Sequence, residues 1–118
     1  MNNRIMRSPQ AIAALSALSH ATRLAAFRHL VQAGPGGMPV GELRERLDVA
    51  AATLTAHLNI LRAAGLVVDE REGRVIRIRA GYAQMNALIA YLTENCCAGQ
   101  TDCGPGVVCK PARKGARP

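Results

Sequence analysis

Apolar residues recur along most of this chain at helical spacing and, over one short stretch, at every second position. Ile12, Leu15 and Leu18 follow a Ser8-Pro9 start, where the hydroxyl can cap free amides and proline suits the first turn. They predict a first helix with a narrow apolar stripe flanked by alanines, suited to close packing against a helix of the same subunit or of its twin. A second helix, from about Ala21 to Ala33, is expected to bury Leu24, Phe27 and Val31, and the GPGGMP run at 34–39 stops it as a loop. Val40, Leu43 and Leu47 mark a short helix, and Asp48-Val49 a turn. Leu54, Leu58 and Leu61 then lie on one stripe of a further helix, which ends at Gly65 because glycine accepts the left-handed conformation there at little cost.

From Leu66 the period changes to two. Ile76 and Ile78 alternate with Val75, Arg77 and Arg79, so one face is expected to be buried and the other to carry cations, with Glu72-Gly73 as the turn signal between two strands. Gly81 breaks the strand, and Tyr82, Met85, Leu88, Ile89 and Leu92 predict a last helix ending near Glu94 or Asn95. The fold class expected is mainly α with a small β-hairpin, and the helix running straight into a hairpin over Ala51–Ala80 is the pattern of a winged helix-turn-helix.

That helix has a small, polar outer face. Thr53, Thr55, Ala56 and Asn59 lie opposite the leucines, and short hydroxyls and amides reach base edges in a major groove without holding the backbone away. Arg71 and Arg74 flank the hairpin tip, where guanidinium groups can clamp phosphates or enter a minor groove. The candidate DNA-contacting set is therefore Thr53, Thr55, Asn59, Arg71 and Arg74.

Three stretches carry a resemblance to the ArsR/SmtB family of bacterial metal- and metalloid-responsive repressors: ALSHATRLAAFRHL at 17–30, VGELRERLDV at 40–49 and ATLTAHLNILRAAGLV at 52–67, followed by the REGR tip. The resemblance implies a homodimer, formed through the first and last helices, that represses a promoter until an inducer binds. GELRERL has no cysteine pair of the kind carried there by the best-known arsenic sensors of that family, and the last helix lacks the Asp and His pattern of its zinc sensors. The inducer site is thus expected elsewhere.

A chain of 118 residues makes one small domain whose modest buried fraction favours burial against a second copy. The formal charge of +7 is spread along it: residues 1–94 hold eleven Arg against seven acids, and residues 95–118 hold four Lys or Arg against one acid. A basic balance fits a nucleic acid. Aromatics are only Phe27, Tyr82 and Tyr91, none in a basic cluster, so double-stranded operator DNA fits better than a single strand read by stacking. Neither a long apolar run nor a signal-peptide pattern appears, which sets a membrane partner last and leads to a cytoplasmic expectation. His20, His29 and His57 stand alone among helical segments with no second ligand at metal spacing, and His29 and His57 read as ordinary helix residues.

All four cysteines, Cys96, Cys97, Cys103 and Cys109, fall in the last quarter of the chain. The chain is accordingly divided into a DNA-binding and dimerisation domain, 1–95, and a basic cysteine-containing tail, 96–118. The Gly99-containing loop allows Cys103 to join Cys96 and Cys97 on one ion at little loop-closure cost, with Cys109 outside the main site. Thiolates alone select soft ions. As(III), or Sb(III), suits three sulfurs because a lone pair occupies the fourth direction, and Cd²⁺, Pb²⁺, Hg²⁺ or a four-sulfur Zn²⁺ site are the alternatives. A redox-sensing disulfide among the same thiols is a further alternative, and inert thiols another. Without a CxxC motif or a Ser/His/Asp constellation, an enzyme is not expected. The reading is a repressor released from its operator when trivalent arsenic occupies Cys96, Cys97 and Cys103.

Overall fold

The computed structural model describes residues 6–96. Helix α1 covers Ser8–Leu18, with Arg7 rather than Ser8 at the cap position, and the Arg7 amide donates to Gln10 Oε1 at 2.8 Å. Its inward face is made of Ala11, Ala14 and Ala17, so that α1 can approach the core closely. Ile12 and Leu15 point away and remain 63% and 44% exposed. Ile12 and Leu15 therefore face out of the subunit, while the alanines face in and Leu18 packs against the core.

Helix α2, Ala21–Ala33, starts where His20 Nδ1 accepts from the Thr22 amide at 3.1 Å. It buries Ala26, Phe27 and Leu30. Leu24, expected inside, is 45% exposed, because the inward stripe is centred on Phe27 and Leu30; Val31 is only partly covered and accepts a hydrogen bond from the Tyr82 hydroxyl at 3.1 Å.

The glycine-rich run after α2 holds an element that was not expected. Strand β1, Met38–Pro39, pairs antiparallel with the strand Val75–Ala80 (β3), Met38 opposite Ile78 and Pro39 opposite Arg77. With β2, Val67–Glu72, the sheet has three strands in the order β1-β3-β2. Proline is tolerated because β1 is an edge strand. The approach of β1 requires Gly37, whose φ is 65° and where a Cβ would run into the Ile78 carbonyl.

Helix α3, Val40–Leu47, ends on Asp48 in the left-handed region at φ 54°, and α4, Ala51–Ala63, follows at once. Leu54, Leu58 and Leu61 of α4 join Leu30, Leu43, Leu66 and Ile78 as the largest fully buried side chains. The end of α4 is closed by a Schellman turn: Gly65 takes φ 79°, its amide donates to Arg62 O at 2.9 Å, and the Leu66 amide donates to Leu61 O at 2.9 Å. Leu61 and Leu66 are both inaccessible to solvent, so the chain leaves the helix and enters β2 with its hinge inside the core.

Helix α5 covers Tyr82–Leu92 and stops at its last apolar residue, short of the expected end near Glu94 or Asn95. Thr93 Oγ1 donates to Ile89 O at 2.8 Å and Asn95 adopts φ 58°, which turns the chain off the helix axis before Cys96. Cys96 thus follows a turn and does not prolong α5. Cys97, Cys103 and Cys109 lie outside the described residues. Among the described residues, no helix is long and apolar enough to cross a membrane.

The two neighbouring glycines separate a required conformation from a permitted one. Gly37→Ala is expected to lower unfolding stability in urea by about 2 kcal/mol or more, through a strained positive φ and a clash with β3. Gly36→Ala, which meets open space, should change it by less than about 0.5 kcal/mol. Equal losses would contradict the close approach of β1 to β3.

Candidate nucleic-acid interface

With its leucine stripe inward, α4 turns Thr53, Thr55 and Asn59 to solvent, and all three are exposed as expected. At 3.6 residues per turn the centre of the outer face is Ala52, Ala56, Asn59 and Ala63, with Thr55 on one flank and Thr53 and Ile60 on the other. Ile60 is 43% exposed.

Arg62 ties this face to the sheet, a role that periodicity does not reveal. Its Nε lies 3.0 Å from Asp69 Oδ1 and 2.9 Å from Asp69 Oδ2, and its NH1 donates to Asn59 Oδ1 at 2.7 Å. Consequently one lone pair of the Asn59 carbonyl is engaged, while the other and both amide hydrogens remain available to a ligand.

On the other flank, Arg23 of α2 donates from Nε to Ala17 O at 2.6 Å and from NH1 to His57 Nδ1 at 3.2 Å. A guanidinium can only donate, so Nδ1 accepts and the neutral ring carries its proton on Nε2. His20 packs against His57 with ring centroids 4.5 Å apart. Partial burial first, then the charges of His20 and Arg23, hold the His57 pKa below its ordinary 6.5, which favours that neutral form. The amphipathic pattern gave no sign of this link, since His20 and His57 stand alone among helical segments in the sequence. It braces α4 against the α1–α2 corner.

The hairpin sorts its arginines. Cross-strand pairing places Glu70 opposite Arg77 and Val68 opposite Arg79, on the sheet face that Glu72 and Val75 share. Arg79 lies 3.6 Å from Glu70 and Arg77 lies 4.0 Å from Glu72, while Arg77 also donates to Gly36 O at 3.2 Å and Gly37 O at 3.4 Å. The face expected to be cationic is therefore charge-balanced. Arg71 and Arg74 form no ion pair among the described residues, and both are exposed. Gly73 and Arg74 make the two-residue turn, with φ 61° at Gly73, so Arg74 sits in the tip itself and Arg71 stands on β2 one residue before its end.

Reading helix and cationic tip thus lie on consecutive elements joined through a buried turn. Comparison with known proteins agrees. A helix-turn-helix domain family matches residues 18–70. The chain is 35% identical over 92 residues, 78% of its length and 76% of the relative's, to a biofilm growth-associated repressor of Agrobacterium fabrum. Among solved structures, an ArsR-like transcriptional regulator from Rhodococcus sp. RHA1 is 33% identical, over 77% of this chain and 82% of that one, with a TM-score of 0.64. The chain belongs to the ArsR family of transcriptional regulators. Another structural relative, the transcriptional repressor BigR from Xylella fastidiosa, is 29% identical over 75% of this chain and 89% of that one, with a TM-score of 0.57.

For an ArsR-family regulator the helix-turn-helix is α3–α4, and the wing is β2–β3. Among the described residues, no group of three or more His, Cys, Asp or Glu side chains is placed to hold a metal ion, and Cys96, the one predicted thiol ligand among them, is partly buried just beyond α5. The wing geometry separates two kinds of arginine experimentally. Arg71→Ala and Arg74→Ala should each weaken duplex binding across sequences and reduce the slope of log K against log salt by about 1. Arg79→Ala, whose charge is already matched by Glu70, should leave that slope nearly unchanged; a uniform effect in all three, measured by salt titration, would dismiss the sorting.

Proposed function

We propose that this chain is a homodimeric repressor which grips operator DNA with one α4 helix per half-site and lets go when As(III), or Sb(III), is bound by Cys96, Cys97 and Cys103. The observation that carries the sensing half is the position of Cys96. It stands four residues beyond Leu92, at the end of α5, and Leu92 is 56% and Ile89 40% exposed. Ile12 and Leu15 of α1 are uncovered too, and α1 touches α5. A second copy covering these residues would leave Cys96 beside the subunit junction. A ligand that gathers Cys96 with Cys97 and Cys103 would then act where the spacing of the two α4 helices is set. The repressor names of the Agrobacterium and Xylella relatives support the direction of control.

The chemistry favours a thiophilic ion. An apolar cavity of about 380 Å³ between α2 and α5, lined by Leu24, Phe27, Val31, Met85 and Leu88 among others, offers it no thiol, imidazole or carboxylate. The three cysteines offer sulfur alone, which suits As(III) and excludes Mg²⁺ or Ca²⁺. Arsenite enters as As(OH)₃, and each sulfur that binds replaces one hydroxide, which leaves as water with the thiol proton. An inducer works only through different affinities for the free and DNA-bound forms, and a coupling of about 3 kcal/mol corresponds to roughly 150-fold in operator affinity.

The test is fluorescence anisotropy of reduced protein on a duplex recovered by selection from random sequences. Arsenite should weaken binding by about 100-fold, and Cys96→Ser, Cys97→Ser and Cys103→Ser should each abolish the response while leaving arsenite-free affinity unchanged. A full response in all three variants would move the site elsewhere. Release by mild peroxide without any response to arsenite would replace this account with thiol redox sensing.

A further inference from the structure

Helix α4 presents an unusual inventory to a major groove. No Lys, Gln or Glu occurs between Ala51 and Ala63, and the one Arg, Arg62, is held by Asp69 and Asn59. The commonest specific contact, a bidentate guanidinium on guanine, is therefore not on offer from this helix. Asn59 already accepts from Arg62 at 2.7 Å, which leaves one lone pair of its carbonyl and both amide hydrogens for a base. What remains outward are the methyl groups of Ala52 and Ala56, the short Thr53 and Thr55 side chains with a hydroxyl and a methyl each, and the exposed side chain of Ile60, a branched hydrocarbon left in water on a helix whose apolar needs the leucine stripe already meets.

In the major groove the only natural apolar projection on an unmodified base is the thymine C5-methyl. We propose that α4 selects its half-site chiefly by packing Ile60 and the neighbouring Thr53 and Ala56 methyls against thymine methyls, with Asn59 donating to one base acceptor. This rests on the DNA-binding reading above and names what that face recognises. Ile60 is the anchor, because it is the largest apolar group on the face and lies beside Thr53 and Ala56 on consecutive turns. Arg62 is a positioning residue: it fixes the orientation of the Asn59 amide through its carbonyl and keeps its own charge out of base readout.

Deoxyuridine removes the methyl and leaves base pairing and hydrogen-bonding edges unchanged, so it isolates the contact. On the selected duplex, thymines are replaced by deoxyuridine one at a time and binding is measured by anisotropy at fixed salt with metal-free, reduced protein. The expected result is a loss of about 3- to 5-fold per contacted methyl, at one or two positions in each half-site, with no loss at other thymines. In Ile60→Ala the penalty at its own position should vanish, while the penalties at other contacted thymines persist. Equal affinity for every deoxyuridine duplex would overturn the methyl reading and leave DNA binding standing, as would an undiminished penalty at every position in Ile60→Ala. Failure of the selection to yield any bound duplex would remove the DNA-binding reading, and the methyl reading with it.

Discussion

The turn that carries the chain from α4 into β2 is the constraint on which the rest depends. Leu61 and Leu66 are both fully buried, and the amide of the second is bonded to the carbonyl of the first. Gly65 can close that turn because it reaches φ 79° without a Cβ. A helix ending in solvent would be free to swing against the wing. Here the joint belongs to the core, and the Arg62–Asp69 pair adds a second fastening on the surface. Exposed ion pairs contribute little stability on their own, so Arg62 matters more for orientation than for folding. Reading helix and wing consequently move as one body, and the cations at the tip stand in a fixed relation to the groove-facing side of α4.

The middle of α4 is steadied differently. His57 meets Arg23 and His20, and through Arg23 the carbonyl of Ala17, which brings the end of α1 and the start of α2 to the recognition helix. A change in how α1 packs against a second copy therefore has a short route to α4. The small inward residues of α1 and the large outward ones belong to the same design: alanines allow the helix to sit close to its own core, and Ile12 and Leu15 are left for another surface.

Much of this was legible in the sequence, and the failures have physical causes. Periodicity located the five helices and the hairpin, and because Leu54, Leu58 and Leu61 bury a continuous stripe it placed Thr53, Thr55 and Asn59 on the outer face of α4; on α1 the stripe it found is turned outward at Ile12 and Leu15, and alanines are buried instead. It went wrong for Leu24, since a helix with apolar residues on several sides does not declare which of them faces inward. The strand Met38–Pro39 was hidden because two residues have no period and proline argues against a ladder, although as an edge strand it needs to supply few hydrogen bonds. The end of α5 was overestimated because Thr93 and Asn95 act through local hydrogen bonding and backbone conformation, which an apolar pattern does not record. Charge was legible in amount but not in disposition: Arg71, Arg74, Arg77 and Arg79 look alike until cross-strand register sets the last two beside glutamates.

The account comes down to a rigid helix-and-wing unit delivered twice to one duplex. Hydroxyl-radical footprinting of the selected operator tests that directly. Two equivalent protected tracts, related by a two-fold axis, spaced so that both recognition helices meet the same side of the DNA and each flanked by backbone protection from a wing, are the predicted result. A single unrepeated tract, or protection under α4 without any under the wing, would contradict it.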